Sequence, residues 1–276
     1  MSRGTDVAGR VGGAERVESA IRTAASGGRP ALAAFLTAGF PSLDGFADVA
    51  RRVAAEADVL EIGVPFSDPM ADGVTIQDAS RAALAGGVTL GWILEMVGDL
   101  DVGIPIVLMS YLNPILSLGY STLAERAADA GVAGFIVPDL PLEECEPFRE
   151  GTSRHGLALV QMVTPLTPTP RRARLAAATS GFLYAVTRTG TTGAETDGGV
   201  PVDYLAELRD VSERPVLAGF GIRRREQVDA LTGKVDGVIV GSALVECLAE
   251  GRDPAAFLRG LRTAAHASTL ASGGDS

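Results

Sequence analysis

Short runs of apolar, largely β-branched residues alternate along the chain with stretches whose apolar positions recur every three or four residues. The runs at 31–37, 59–62, 104–109, 134–137, 158–162, 182–186, 216–218 and 237–240 read as strands. The stretches at 43–55, 122–130, 202–208 and 226–231 read as amphipathic helices, and His155 stands near the end of another helical pattern. Strands that are apolar throughout, with helices between them, predict a parallel sheet covered on both faces. Eight of them in 276 residues predict a single (β/α)8 TIM barrel rather than an open sheet. A doubly wound sheet would call for a Gly-rich fingerprint opening the first helix, and residues 37–44 lack one. Segment 17–25 predicts an extra N-terminal helix plugging the barrel floor, and 254–265 a helix closing the ring. Residues 1–15 are expected to be flexible, 16–267 to form the catalytic barrel domain, and 268–276 to be a flexible tail.

Composition narrows the function classes. Apolar residues make up 46% of the chain and aromatics 5%, so Val, Leu, Ile and Ala must fill the core. The net charge of −10 argues against a nucleic-acid surface. No apolar run approaches the roughly 18 residues that span a bilayer, and the N-terminus lacks the apolar segment of a signal peptide. Cys145 and Cys247 lie far apart and read as buried thiols, without CxxC spacing. Together these predict a cytoplasmic protein.

In a barrel of this kind the reactive groups belong at the C-terminal ends of the strands and on the loops that follow. Glu61 interrupts the apolar run of the second strand. Burying it there would raise its pKa towards the range a proton-transfer group needs at neutral pH. Asp72 follows on the next loop, so one βα unit supplies two candidate carboxylates. As structural alternatives, Glu61 would be a strand-end salt bridge and Asp72 a solvated turn former. Gly-rich loops follow the last three strands: residues 188–194, then Gly219-Phe220-Gly221-Ile222, then Gly241-Ser242-Ala243 opening a helix. Glycine lets backbone N–H groups approach a ligand, and a helix N-terminus favours an anion, so the loops after strands seven and eight predict a phosphate site. Arg188 and the run Arg223–Arg225 could add positive charge, although the run reads better as a solvated first turn.

Absences prune the chemistry further. Lys234 is the only lysine and precedes the eighth strand, at the bottom face, where it can form neither a substrate Schiff base nor a pyridoxal phosphate link at the strand tops. His155 and His266 are the only histidines, and neither stands near the strand ends, which disfavours a His-ligated metal and a Ser–His–Asp triad. A carboxylate-bound Mg2+ at Glu61, Asp68, Asp72 or Asp139 stays open. What remains is acid–base chemistry by carboxylates on a phosphorylated substrate that provides its own electron sink.

One segment carries a resemblance. EIGVPFSDPMADGVTIQ at 61–77 resembles the signature of the tryptophan synthase alpha subunit family, supported by LMSYLNP at 108–114, FIVPDLPLEE at 135–144, TRTGTTGA at 187–194, GFGI at 219–222 and VGS at 240–242. These span the barrel in order. The resemblance implies retro-aldol cleavage of indole-3-glycerol phosphate to indole and glyceraldehyde 3-phosphate, with Glu61 and Asp72 as the catalytic pair. It places the phosphate on Gly193, Phe220, Gly221, Gly241 and Ser242, the indole against Phe35, Tyr111, Ile136 and Tyr184, and Thr192 on a lid loop. It implies no cofactor in this chain, pyridoxal phosphate being expected only in a beta subunit that receives the indole within an alpha2-beta2 heterotetramer. The loop of Asp68 and Pro69 would face that partner. Two positions depart from the family: Val74 stands where Pro is frequent, and Phe40 where an acidic residue is common. Competing readings are a stand-alone lyase with no beta partner, a catalytically silent phosphate-binding barrel, and another phosphosugar enzyme such as an isomerase or epimerase.

Overall fold

The structure is a computed structural model that describes residues 11–187, 202–219 and 221–262. Its eight strands are β1 Ala31–Thr37, β2 Val59–Gly63, β3 Ile106–Met109, β4 Gly134–Ile136, β5 Ala158–Val163, β6 Leu183–Val186, β7 Val216–Gly219 and β8 Gly237–Val240. They close into one parallel barrel in chain order, β8 returning to pair with β1. Every expected strand is present, with edges moved by a residue or two. β3 starts at Ile106 rather than 104 because Pro105 has no N–H to offer the ladder. The Pro105 carbonyl still accepts from the Leu60 N–H at 3.0 Å.

The helices are α1 Gly13–Ser26, α2 Leu43–Ala54, α3 Val74–Ala85, α4 Leu90–Gly98, α5 Leu112–Leu118, α6 Tyr120–Asp129, α7 Glu146–Arg154, α8 Thr169–Ala178, α9 Val202–Val211, α10 Arg225–Leu231, α11 Ser242–Ala249 and α12 Pro254–Leu261. Helix α1 is the extra element. It begins at Gly13, so residues 13–15, expected to be open chain, form its first turn. The expected tail lies outside the described residues, as do the last positions of the helix expected to close the ring.

Four helices were not foreseen: α3, α4, α5 and α8. α4 is apolar almost all round, so it presents no period to read, yet the Thr89 hydroxyl caps it by accepting from the Trp92 N–H at 3.1 Å. α3 buries only small groups (Ala79, Ser80 and Ala83) and has no side-chain cap. α8 opens with Pro and Arg, and two of those arginines are held by ion pairs, Arg171 with Glu143 and Arg172 with Glu207.

Two apolar layers follow from the period-2 alternation of the strands. One set of side chains packs outward against the helices, among them Leu60, Ile62, Leu108 and Phe135. The other fills the barrel interior with Ala31, Ala33, Val59, Val107, Val160, Tyr184, Leu217 and Ile239. Val17, Ile21 and Ala24 of α1 join the inner set and seal the floor. Complete burial of Val17 and Ile21 is worth roughly 1.5–3 kcal/mol each. With the floor closed by apolar groups, the barrel is open only at the strand C-termini, and that end carries the site.

Candidate active site

Glu61 follows Val59 by two residues, so it continues the inward-facing set at the upper end of β2, with Phe35 and Val107 as its register neighbours. It is 2% exposed, and its Oε2 has no hydrogen-bond partner. A buried carboxyl without a partner resists ionisation. Burial, reinforced by the negative charge of Asp72, pushes Glu61 up to about 8. Asp72 is half-buried just before α3. Burial lifts it to about 6, while a hydrogen bond with the Tyr111 hydroxyl pulls the other way. Near pH 7 the pair therefore holds one proton on Glu61 and one negative charge on Asp72, the division of labour an acid and a base need.

The support of Asp72 is local. The Tyr111 hydroxyl also accepts from the Ala71 N–H at 2.9 Å. Its ring stacks on Phe66, centroids 5.2 Å apart. The Asp72 carbonyl accepts from the Gln77 amide at 2.8 Å. Beyond Tyr111, the Asp139 carboxylate takes the Leu112 N–H at 2.9 Å and so anchors the start of α5.

Glu61 and Asp72 line one pocket that is open at its mouth. Phe35 and Tyr184 supply aromatic lining, and Gly221, Gly241 and Ser242 line the same pocket as Asp72 and Gly73. Glycine is required at several of these places. Gly221 has φ +92°, a left-handed backbone that side chains disfavour. A Cβ on Gly63 would fall 2.5 Å from the Phe35 ring, and one on Gly219 would overlap Tyr184. Gly241 caps α11; in the first turn the Leu244 N–H already donates to the Gly241 carbonyl at 2.8 Å, so the N–H groups of Ser242 and Ala243 are the ones left to meet an anion. Among the described residues no group of three or more His, Cys, Asp or Glu side chains is placed to hold a metal ion.

The structure therefore brings together Glu61, Asp72, Gly221, Gly241, Ser242, Phe35 and Tyr184. Tyr111 lines a smaller adjoining cavity shared with Asp72 and Phe35. Ile136 does not reach either wall; it is fully buried in the barrel-interior cluster. Gly193, Phe220 and Thr192 lie outside the described residues. Met109, Ile76 and Ile239 line the pocket without having been foreseen. In sequence an apolar residue at a strand end reads as core, and Ile76 belongs to the unforeseen α3. Of the two departures, Val74 is 64% exposed at the first position of α3, and Phe40 is half-buried against the core. Cys145 and Cys247 are buried free thiols. Lys234 is exposed between α10 and β8, at the bottom of the barrel. No helix among the described residues is long and apolar enough to cross a membrane.

Known proteins carry the same pattern. The family described as tryptophan synthase alpha chain matches residues 21–270. The tryptophan synthase alpha chain of Nitratidesulfovibrio vulgaris (strain DP4) is 45% identical over 252 residues, which is 89% of this chain and 97% of the relative. That of Deinococcus radiodurans is 41% identical over 250 residues, covering 89% and 92%. Among solved structures, tryptophan synthase of Mycobacterium tuberculosis superposes with a TM-score of 0.83 at 34% identity, covering 89% of this chain and 96% of that one. The tryptophan synthase a2b2 complex of the hyperthermophile Pyrococcus furiosus gives 0.79 at 34% identity, covering 84% and 98%. With a profile match along most of its length, relatives above 40% identity and a shared closed barrel, the chain belongs to the tryptophan synthase alpha chain family and has that family's part in tryptophan biosynthesis.

Proposed function

We propose that this chain is a carbon–carbon lyase that splits indole-3-glycerol phosphate into indole and glyceraldehyde 3-phosphate. The observation that carries the reading is the buried Glu61 carboxyl, its Oε2 without a hydrogen-bond partner, facing the same pocket as the half-buried Asp72. Indole C3 takes the proton of Glu61, giving an indolenine. The Glu61 carboxylate so formed takes the proton of the hydroxyl on the adjoining glycerol carbon. That C–O becomes a carbonyl as the C–C bond breaks, and the bond's electrons return to the ring through its nitrogen. Asp72, ionised near pH 7, accepts the indole N–H and stabilises the positive charge that develops on the ring. Glu61 regains its proton, so the protons balance and the substrate itself is the electron sink.

The phosphate rests on the backbone N–H group of Gly221 and on those of Gly241 and Ser242 at the start of α11. Phe35, Tyr184 and Tyr111 hold the indole beside the carboxylate pair. The reaction draws on no cofactor in this chain. The indole passes to a tryptophan synthase beta subunit carrying the pyridoxal phosphate, in a cytoplasmic alpha2-beta2 assembly. The exposed loop of Ser67, Asp68 and Met70, the last 76% exposed, is where that partner docks. Indole release from indole-3-glycerol phosphate by the purified chain, with and without a beta subunit, tests both parts. Slow release that accelerates on adding the partner supports the reading. Fast release that ignores the partner leaves the lyase but removes the assembly, and no release from the folded chain removes the reaction.

A further inference from the structure

The two sides of the pocket are joined by a polar chain outside the pocket wall. On one side Thr75, in the first turn of α3, donates its hydroxyl to Glu246 Oε1 at 3.1 Å. On the other side Arg223, two residues after Gly221, closes a bidentate pair on the same carboxylate, with Nη2 to Oε1 at 2.8 Å and Nη1 to Oε2. Glu246 lies one turn beyond Ser242 on α11. Each end is then tied to the pocket rim by a glutamine. Gln77 of α3 donates to the Asp72 carbonyl at 2.8 Å. Gln227 of α10 donates to the Gly221 carbonyl at 2.9 Å and accepts from the Arg223 N–H at 2.8 Å. A single carboxylate therefore links the segment that presents Asp72, the loop that presents Gly221 and the helix that presents Ser242.

We infer that Glu246 is a positioning residue: with Thr75 and Arg223 it couples occupancy of the phosphate side of the pocket to the placement of Asp72. The inference rests on the function proposed above. Neither Thr75, Arg223 nor Glu246 lines the pocket, so any effect they have on ligand affinity must travel through the segments they join. The α3 end has few other restraints on its start, since Gly73 provides no side-chain cap and Val74 is exposed. Coupling of this kind is reciprocal: what firms the Asp72 segment also firms the phosphate loop.

The sign of one substitution separates this role from simple electrostatics. A carboxylate near an anion site repels the anion, so by Coulomb's law alone Glu246→Ala would tighten binding of a phosphate ester. Loss of the clamp does the opposite. The test measures binding of sn-glycerol 3-phosphate by calorimetry, and kcat and KM for indole release, in wild type, Glu246→Ala, Thr75→Val, Thr75→Ser and the Glu246→Ala/Thr75→Val double variant. The inference expects Glu246→Ala and Thr75→Val each to weaken glycerol phosphate by about five-fold or more and to lower kcat. Thr75→Ser, which keeps the hydroxyl, restores both quantities. Thr75→Val adds less than about two-fold once Glu246 is gone, because the two substitutions break one chain. Should Glu246→Ala fold poorly, the Thr75→Val and Thr75→Ser pair decides alone. Unchanged or tighter glycerol phosphate in Glu246→Ala, or in a folded Thr75→Val, overturns the coupling while wild type still binds and turns over. Wild type that binds glycerol phosphate but releases no indole overturns the proposed reaction, and the affinities still decide the clamp. Wild type that binds no glycerol phosphate overturns both.

Discussion

Replacing Glu61 by Gln removes a titrating group and little else, since the amide has nearly the carboxyl's shape. The folded protein holds the Glu61 proton up to about pH 8, whereas an unfolded Glu releases it near 4.5. The native state therefore binds more protons than the unfolded state across that window, and stability falls as pH rises through it. The contribution is fully present below about pH 4.5, is lost progressively up to about pH 8, and is flat above. At 1.36 kcal/mol per pH unit the loss totals about 5 kcal/mol, a third or more of the 5–15 kcal/mol by which domains are usually stable. Glu61→Gln lacks that loss. Its unfolding free energy relative to wild type should climb by up to about 5 kcal/mol between pH 4.5 and pH 8. Asp72 titrates in the same direction from 3.8 to about 6, but it is present in both proteins and largely cancels in the difference. Urea unfolding at half-unit pH intervals, with m-values compared to confirm the same transition, measures the curve. A difference that stays level from pH 4.5 to pH 8 would refute the reasoning, because it would mean Glu61 ionises in the folded protein as easily as in water.

Tyr111→Phe removes the hydroxyl that hydrogen-bonds Asp72 and accepts from the Ala71 N–H. A hydrogen bond to a charged group is worth about 1.5–3 kcal/mol, so kcat/KM for indole release should fall by roughly ten-fold or more, and the acid limb of its pH profile should move above 6. An unmoved limb would remove Tyr111 from the support of Asp72. Gly219→Ala places a Cβ into the Tyr184 ring; overpacking of this kind costs about 1–3 kcal/mol. A thermal melt should show a lower midpoint, and steady-state kinetics a raised KM, as the aromatic wall is displaced. A variant with unchanged midpoint and KM would show that Tyr184 has room to give.

The parts of the fold that were legible in the sequence are those that carry their own period. The apolar strand runs are buried on both faces, so β1 and β8 appear at the expected boundaries. Helices α3 and α4 were not legible, for opposite reasons. α3 buries alanine and serine, which hardly register as apolar, and α4 has almost no polar face. In the site, Glu61 stood out because a charge in an apolar strand needs a reason, and Asp72 because it followed on the same βα unit. Met109 and Ile239 could not stand out, since the side chains that line an apolar pocket are the same types that fill a core. Ile136, expected at the indole pocket, packs in the same interior cluster as Tyr184 and Ile239 without lining the two cavities that hold Asp72. The link from Thr75 through Glu246 to Arg223 joins residues 171 and 23 positions apart, and no local spacing announces it.

The account stands or falls on Glu61 and Asp72 acting as a protonated acid and an ionised partner. The direct test is kcat/KM for indole release from indole-3-glycerol phosphate between pH 5 and pH 9, in wild type, Glu61→Gln and Asp72→Asn. The account expects a bell with its acid limb near 6 and its basic limb near 8, and near-complete loss of release in both variants. A flat profile, or a Glu61→Gln protein that releases indole at the wild-type rate, would contradict it.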